Sequence, residues 1–193
     1  MARRMGRQKV PRPFGGRFAG VAIAMAILQA ACSNGAPSGT SASAPYRAAR
    51  NAAEASLLPR NVYQLPTVDF AGFQALGWQL HGTPVVINIW SSWCGPCRTE
   101  APYLAAAAER YGEEIQFLGI DILDKKPDAI AFMQEYGWAY PSLYDPQGDI
   151  RDGLGFIGQP ETLFYDREGE LSSTWIGPLP SEELKERLQA ISV

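Results

Sequence analysis

The chain has 193 residues, with 17 Lys and Arg against 20 Asp and Glu, for a formal charge of −3. Six of the basic residues and none of the acidic ones precede Cys32, so the remainder carries 11 basic against 20 acidic groups, a formal −9 that excludes nucleic acid as a partner and charge-driven binding to anionic headgroups. There are only three cysteines. Apart from Cys94 and Cys97 the body of the chain has no thiols to pair, and its core must hold the fold.

Arg3, Arg4, Arg7, Lys9, Arg12 and Arg17 form a basic leader, Phe18 to Leu28 a short apolar stretch, and small residues follow. This pattern predicts an export signal over residues 1–31. The apolar stretch falls short of the ~20 residues that span a bilayer, and an uncleaved anchor is the alternative. Arg3-Arg4 lacks twin-arginine flanks in Met5-Gly6. Leu28-Gln29-Ala30-Ala31-Cys32-Ser33 resembles a bacterial lipoprotein cleavage box, departing from it at Gln29. That resemblance implies acylation of Cys32 and tethering to the outer face of the cytoplasmic membrane; ordinary cleavage within the alanine-rich stretch is the alternative. Residues 32–60, rich in Ala, Ser, Gly and Pro, read as a flexible tether, with a helical turn or two allowed over Asn51 to Leu58.

Residues 61–193 alternate apolar runs with amphipathic stretches and suit one domain with one core. Pro84 to Trp90 predicts a strand buried on both faces. Arg98 to Tyr111 predicts a helix interrupted by Pro102 and stopped at Gly112. Ile115 to Ile122 is a second central strand. Pro127 to Tyr136 is helical, with Ile130, Phe132, Met133 and Tyr136 as candidate buried positions. Ser142 to Tyr144 is a short strand before the turn at Asp145 to Gly148, and Ile150 to Leu154 a short helix. Thr162 to Tyr165 and Leu171 to Ile176 flank a hairpin turn at Asp166 to Gly169. Ser181 to Ile191 closes the chain as a helix with Ser181 as N-cap, acids in its first turn, and Leu184, Leu188 and Ile191 on one face. The predicted fold is α/β and thioredoxin-like: a central mixed sheet flanked by helices, with an N-terminal extension and a central helical insertion.

Trp93-Cys94-Gly95-Pro96-Cys97 falls where the first strand gives way to a helix. There the free amides and the positive end of the helix dipole stabilise a thiolate, the attacking species in disulfide exchange. Cys97 follows about one helical turn later, close enough to attack a mixed disulfide on Cys94. Pro96 suits the first turn, where a missing N–H costs nothing. A structural disulfide, half a zinc site or two inert thiols are the competing readings. Zinc needs two more ligands, and only Cys32 and His81 are on offer in remote contexts.

With these elements in place, the chain resembles the membrane-tethered, thioredoxin-like TlpA, ResA and DsbE family over about Leu65 to Ala190. The resemblance rests on Gly82 to Pro102, on Gly158-Gln-Pro-Glu-Thr-Leu-Phe-Tyr-Asp166, on Gly177-Pro-Leu before the last helix, and on the insertion Lys125 to Pro146. It implies that Cys94 is the exposed nucleophile and Cys97 the resolving thiol. Pro160 matches a cis proline facing the pair, against the plain reading of a turn proline. Gln159 would offer its backbone to an extended substrate by strand addition, and Trp93, Gly95 and Pro96 would frame the contact. Glu100, one turn past Cys97, matches a glutamate that moves protons at the buried thiol; a solvated helix acid is the alternative. Asn88 stands where plain thioredoxins carry a buried aspartate. His81 takes no role, and Trp78, Trp90, Trp138 and Trp175 read as packing residues.

The resemblance implies an extracytoplasmic thiol-disulfide oxidoreductase with no cofactor beyond the redox-active Cys94–Cys97 disulfide. Its partners would be thiols and disulfides of exported proteins, apocytochrome c among them, with a membrane thiol reductase as electron donor and no nucleic acid. The opposite direction, oxidation of exported proteins, is the main alternative. A copper chaperone on the same fold is disfavoured by the two-residue spacing and the missing histidine. A peroxidase is disfavoured because Ile87 and Ser91 stand where proline and threonine would be needed.

Overall fold

The computed structural model of the chain describes residues 57–192. The expected signal, Cys32 and the tether as far as Ser56 lie outside the described residues. Among the described residues, no helix is long and apolar enough to cross a membrane.

Strand β1 (Val85–Trp90) is the middle of a five-stranded sheet of order β3-β2-β1-β4-β5, with β2 Gln116–Ile122, β3 Ser142–Asp145, β4 Glu161–Tyr165 and β5 Leu171–Ile176. It pairs in parallel with β2 and antiparallel with β4; β3 extends the parallel side and β5 the antiparallel side. All six β1 residues are buried, as a run of β-branched residues without polar alternation requires.

Alternate β1 side chains enter two cores. Val86 and Trp90 join helices α2 (Gly95–Tyr111), α3 (Lys126–Glu135) and α5 (Ser181–Ile191) on one face. Val85, Ile87 and Ile89 meet α1 (Phe70–Gln79) and α4 (Asp149–Leu154) on the other. The result is an α/β/α sandwich, the predicted thioredoxin-like arrangement. Leu184, Leu188, Ile191, Phe132 and Met133 are buried as expected, while Ile130 and Tyr136 only lean on the core.

Two elements, a short 3-10 turn at Val62–Gln64 and a whole α-helix, are absent from the expectation, and several boundaries differ from it. Helix α1 is absent from it: Phe-Ala-Gly-Phe-Gln-Ala-Leu-Gly-Trp-Gln has two glycines and no clean polar face, yet Asp69 caps it by accepting from the Gly72 N–H at 2.8 Å, and Phe73 and Leu76 seal the second core. Helix α2 begins at Gly95 rather than Arg98 and runs unbroken through Pro102, which lies on its exposed side; the proline forgoes one backbone bond without ending the helix. Ser181 is the first helical residue of α5, not its cap; Pro180 holds the cap position and no side chain bonds the free amides. Trp90 and Trp138 pack in the core, but Trp78 is half exposed.

Candidate active site

The site forms where β1 ends. Beyond Trp90 the chain turns through Ser91, Ser92 and Trp93, and Cys94 becomes the N-cap of α2 with Sγ accepting from the Cys97 N–H at 3.1 Å. A cysteine thus fills the place usually taken by a serine or aspartate cap, and its sulfur meets the amides at the positive end of a 17-residue helix. Cys94 and Cys97 form a disulfide with Cα atoms 5.3 Å apart. The pair is more covered than expected: Cys94 is 5% and Cys97 2% exposed. Each sulfur shields the other, and both belong to the core cluster that includes Trp90 and Ala101. Trp93 is 59% exposed beside them, and Gly95 and Pro96 are also at the surface.

The Gln159–Pro160 peptide is cis, and Pro160 directly precedes β4, the antiparallel neighbour of β1. Gln159 Nε2 reaches Ser91 Oγ at 3.4 Å, which brings this loop alongside the turn leading to Cys94.

Glu100 lies three residues past Cys97 on the same helical face. It is not a solvated acid but almost completely buried. Its Oε1 accepts from Asn88 Nδ2 at 2.8 Å and its Oε2 from the Leu179 N–H at 2.7 Å, while Asn88 Nδ2 also reaches Thr162 Oγ1 at 3.2 Å. Burial pushes the Glu100 pKa up to about 7, against the pull of the two hydrogen bonds, which favour the ionised form. Tyr140, fully buried, is raised above the ordinary tyrosine value first by burial and second by the Glu100 charge.

Two buried acids carry no role in the sequence reading. Glu161 follows the cis peptide, in register with Ile89 on one side and Ile176 on the other, and burial raises it to about 7. Asp121 pairs in register with Trp90 at the end of β2; burial, then the neighbouring Asp124 and Asp145 charges, lift it to about 9. The signal for Glu161 lies in the Gly158 to Asp166 segment itself; Asp121, within the Ile-Asp-Ile of the second central strand, has no local signal. Among the described residues no three His, Cys, Asp or Glu side chains gather as metal ligands. Cys32 lies outside the described residues.

A mixed sheet with a Cys-x-x-Cys disulfide capping the helix after its central strand, next to a cis-proline loop, defines a thioredoxin-like dithiol protein. Residues 64–174 match the AhpC/TSA family, and the chain belongs to that family, as a DsbE/ResA-like member of the thioredoxin-like superfamily. It is 35% identical over 113 residues to the thiol:disulfide interchange protein DsbE of Allochromatium vinosum, a match spanning 58% of this chain and 61% of that protein. To DsbE of Pseudomonas fluorescens biotype C it is 31% identical over 140 residues, 69% of this chain and 75% of that one. A secreted Mycobacterium tuberculosis disulfide oxidoreductase, described as homologous to E. coli DsbE, superposes with a TM-score of 0.57 at 26% identity, over 68% of this chain and 99% of that one.

Proposed function

We propose that this chain is an extracytoplasmic thiol-disulfide oxidoreductase that exchanges disulfides through Cys94 and Cys97, working as a reductase of exported proteins, apocytochrome c among them. The observation that carries this reading is the disulfide set on the first turn of α2, with a buried carboxyl near neutral pKa one turn further along. In the reducing direction the Cys94 thiolate attacks one sulfur of a substrate disulfide. A Cys94–substrate disulfide forms, and the other substrate sulfur leaves as a thiolate and takes up a proton. Cys97, giving its proton to Glu100, attacks Cys94 Sγ; the mixed disulfide breaks, the second substrate thiolate leaves, and the Cys94–Cys97 disulfide closes. The dithiol is oxidised by two electrons and the substrate disulfide is reduced by two.

Within this reading Gln159, Pro160, Trp93, Gly95 and Pro96 contact the substrate segment, and no cofactor is needed beyond the disulfide. A membrane thiol reductase returns the electrons, and the chain is held at the outer face of the cytoplasmic membrane by its signal or by a lipid on Cys32. The reading is supported by the matched relatives, which are named for thiol:disulfide interchange. The deciding measurement is the reduction potential of the pair, by equilibration with glutathione or a dithiol. A value at or below about −250 mV is expected, and one near about −120 mV overturns the reductase reading in favour of an oxidant.

A further inference from the structure

The three residues between β1 and Cys94 are each bonded to one of three successive residues leaving β2. Ser91 Oγ donates to the Ile122 carbonyl at 2.7 Å, and Trp93 Nε1 to the Leu123 carbonyl at 3.2 Å. Ser92 donates twice to the Asp124 carboxylate, from its backbone N–H and from Oγ, the latter at 2.9 Å. Asp124 is held in turn: its Oδ1 accepts from the Lys125 N–H at 2.7 Å, and its carbonyl accepts the Tyr144 hydroxyl at 2.7 Å. Leu123 adopts φ 51°, left-handed backbone that a leucine rarely visits and that the surrounding bonds must maintain. From the other side Arg98 donates to the Ser92 carbonyl at 2.8 Å, lies 3.4 Å from Glu135 Oε2, and sits 5.5 Å from the centre of the Phe132 ring. Ser92 belongs to no helix or strand, yet it is buried and its N–H, hydroxyl and carbonyl are all engaged.

We propose that Asp124 is a positioning residue for Cys94: by gripping the Ser92 N–H and hydroxyl it fixes the chain that enters α2, keeps Cys94 Sγ over the first amides of the helix, and so keeps the thiolate reactive. The inference rests on the proposed exchange reaction and adds to it a residue that touches neither sulfur. Asp124 is also a negative charge bonded to Ser92, two residues before Cys94, beside Asp121 and Asp145 and across Ser92 from Arg98 and Glu135. As a charge alone it disfavours the Cys94 thiolate. Tether and charge therefore act in opposite directions, and substitutions separate them. Asp124→Asn removes the charge but keeps an amide that can meet Ser92; Asp124→Ala removes both; Ser92→Ala removes only the hydroxyl bond.

The test uses the full chain carrying Cys97→Ser, reduced, with iodoacetamide as probe at pH 7. Peptide mass spectrometry scores Cys94 separately from Cys32, and near-UV circular dichroism checks that each variant is folded. Asp124→Ala is expected to slow Cys94 alkylation about tenfold, the loss of a hydrogen bond to a charged group. Ser92→Ala should slow it by less, and Asp124→Asn should restore the parent rate or exceed it. Should Asp124→Ala fail to fold, Ser92→Ala and Asp124→Asn decide. Parent or faster rates in Asp124→Ala, the outcome of a purely electrostatic role, overturn the proposal, as does a parent rate in Ser92→Ala. Alkylation as expected in a chain that reduces no protein disulfide would overturn the proposed function and leave this positioning role standing.

Discussion

Glu100 and Asn88 are joined by a 2.8 Å hydrogen bond from the Asn88 amide to the Glu100 carboxyl, linking helix α2, three residues past Cys97, to the central strand. Asparagine can donate at every pH and never takes a proton, so the carboxyl is left as the titrating member of the pair. In the proposed mechanism a base with a pKa of about 7 gains activity as the pH rises through neutrality. Glu100→Gln is therefore expected to slow resolution of the mixed disulfide by about 10²-fold at pH 7, with the remaining rate rising only at the higher pH where Cys97 ionises unaided. Single-turnover reduction of a model disulfide from pH 5 to 9 checks this; an unchanged pH profile would remove Glu100 from the mechanism.

Asn88→Asp places a second carboxyl against the first. Two buried carboxyls in hydrogen-bond contact cannot both ionise cheaply, and the Asn88 amide otherwise reaches only the uncharged Thr162 Oγ1, at 3.2 Å, among the described residues. The variant should match the parent in stability below about pH 4, where both acids are protonated, and lose about 2–4 kcal/mol by pH 8. Urea unfolding across that range reads the difference.

The two cysteines should behave asymmetrically. Cys94 caps the helix and Cys97 lies behind it at 2% exposure, so Cys97→Ser is expected to accumulate a mixed disulfide with a protein substrate and Cys94→Ser to form little or none. Non-reducing electrophoresis with a disulfide-bonded substrate scores both. Equal trapping by the two variants would contradict the assigned order of attack.

The junction that builds this site is legible in the chain because it is local: a β-branched run, two thiols at a spacing of one turn, a proline suited to the first turn. Strands β1, β2 and β5 and helix α5 are legible for the same reason, since periodicity and turn residues report them directly. What escapes is whatever depends on contacts distant in sequence. Helix α1 reads as featureless because its apolar residues surround it, and only the uncovered face of Val85, Ile87 and Ile89 explains why it is there. Glu161 and Asp121 look like ordinary strand acids; their burial follows from lying on strands paired on both edges. The grip of Asp124 on Ser92 spans 32 residues and leaves no local pattern. Cys94 is more covered than a nucleophile read from the sequence would be, because its partner sulfur and the core beside it close over it.

Gly119 marks a place where β2 has no room for a side chain. A Cβ there would overlap Ser142 Oγ and approach Trp90 Nε1 to 2.8 Å. Trp90 stacks on Phe132 and packs against Trp138, both with ring centroids 4.9 Å away, and ends the strand that leads to the disulfide. Neither side can give way without moving that aromatic layer, so Gly119→Ala should cost about 1–3 kcal/mol and shift the tryptophan fluorescence of the folded chain. A stability within about 0.5 kcal/mol of the parent would show that the layer yields.

The pH dependence of stability follows from the buried acids. Glu100 and Glu161 have folded-state pKa values of about 7 and Asp121 of about 9, raised above their ordinary values of 4.5, 4.5 and 3.8. The folded chain therefore holds more protons than the unfolded chain between those limits, and stability falls as pH rises. The contribution is whole below about pH 4, is partly lost up to about pH 7 as Glu100 and Glu161 ionise, and declines further towards pH 9 through Asp121. Asp121→Asn keeps the shape but cannot ionise, so it should flatten the decline between pH 7 and 9 while leaving the share of Glu100 and Glu161 below pH 7 in place. Glu100→Gln should leave the decline between pH 7 and 9 and remove only its own share below pH 7, since Glu161, also raised to about 7, keeps its share. Denaturant midpoints at pH 5, 7 and 9 for the parent and both variants separate Glu100 from Asp121; a parent whose stability rises from pH 5 to 9 would mean that none of these carboxyls is held protonated by the fold.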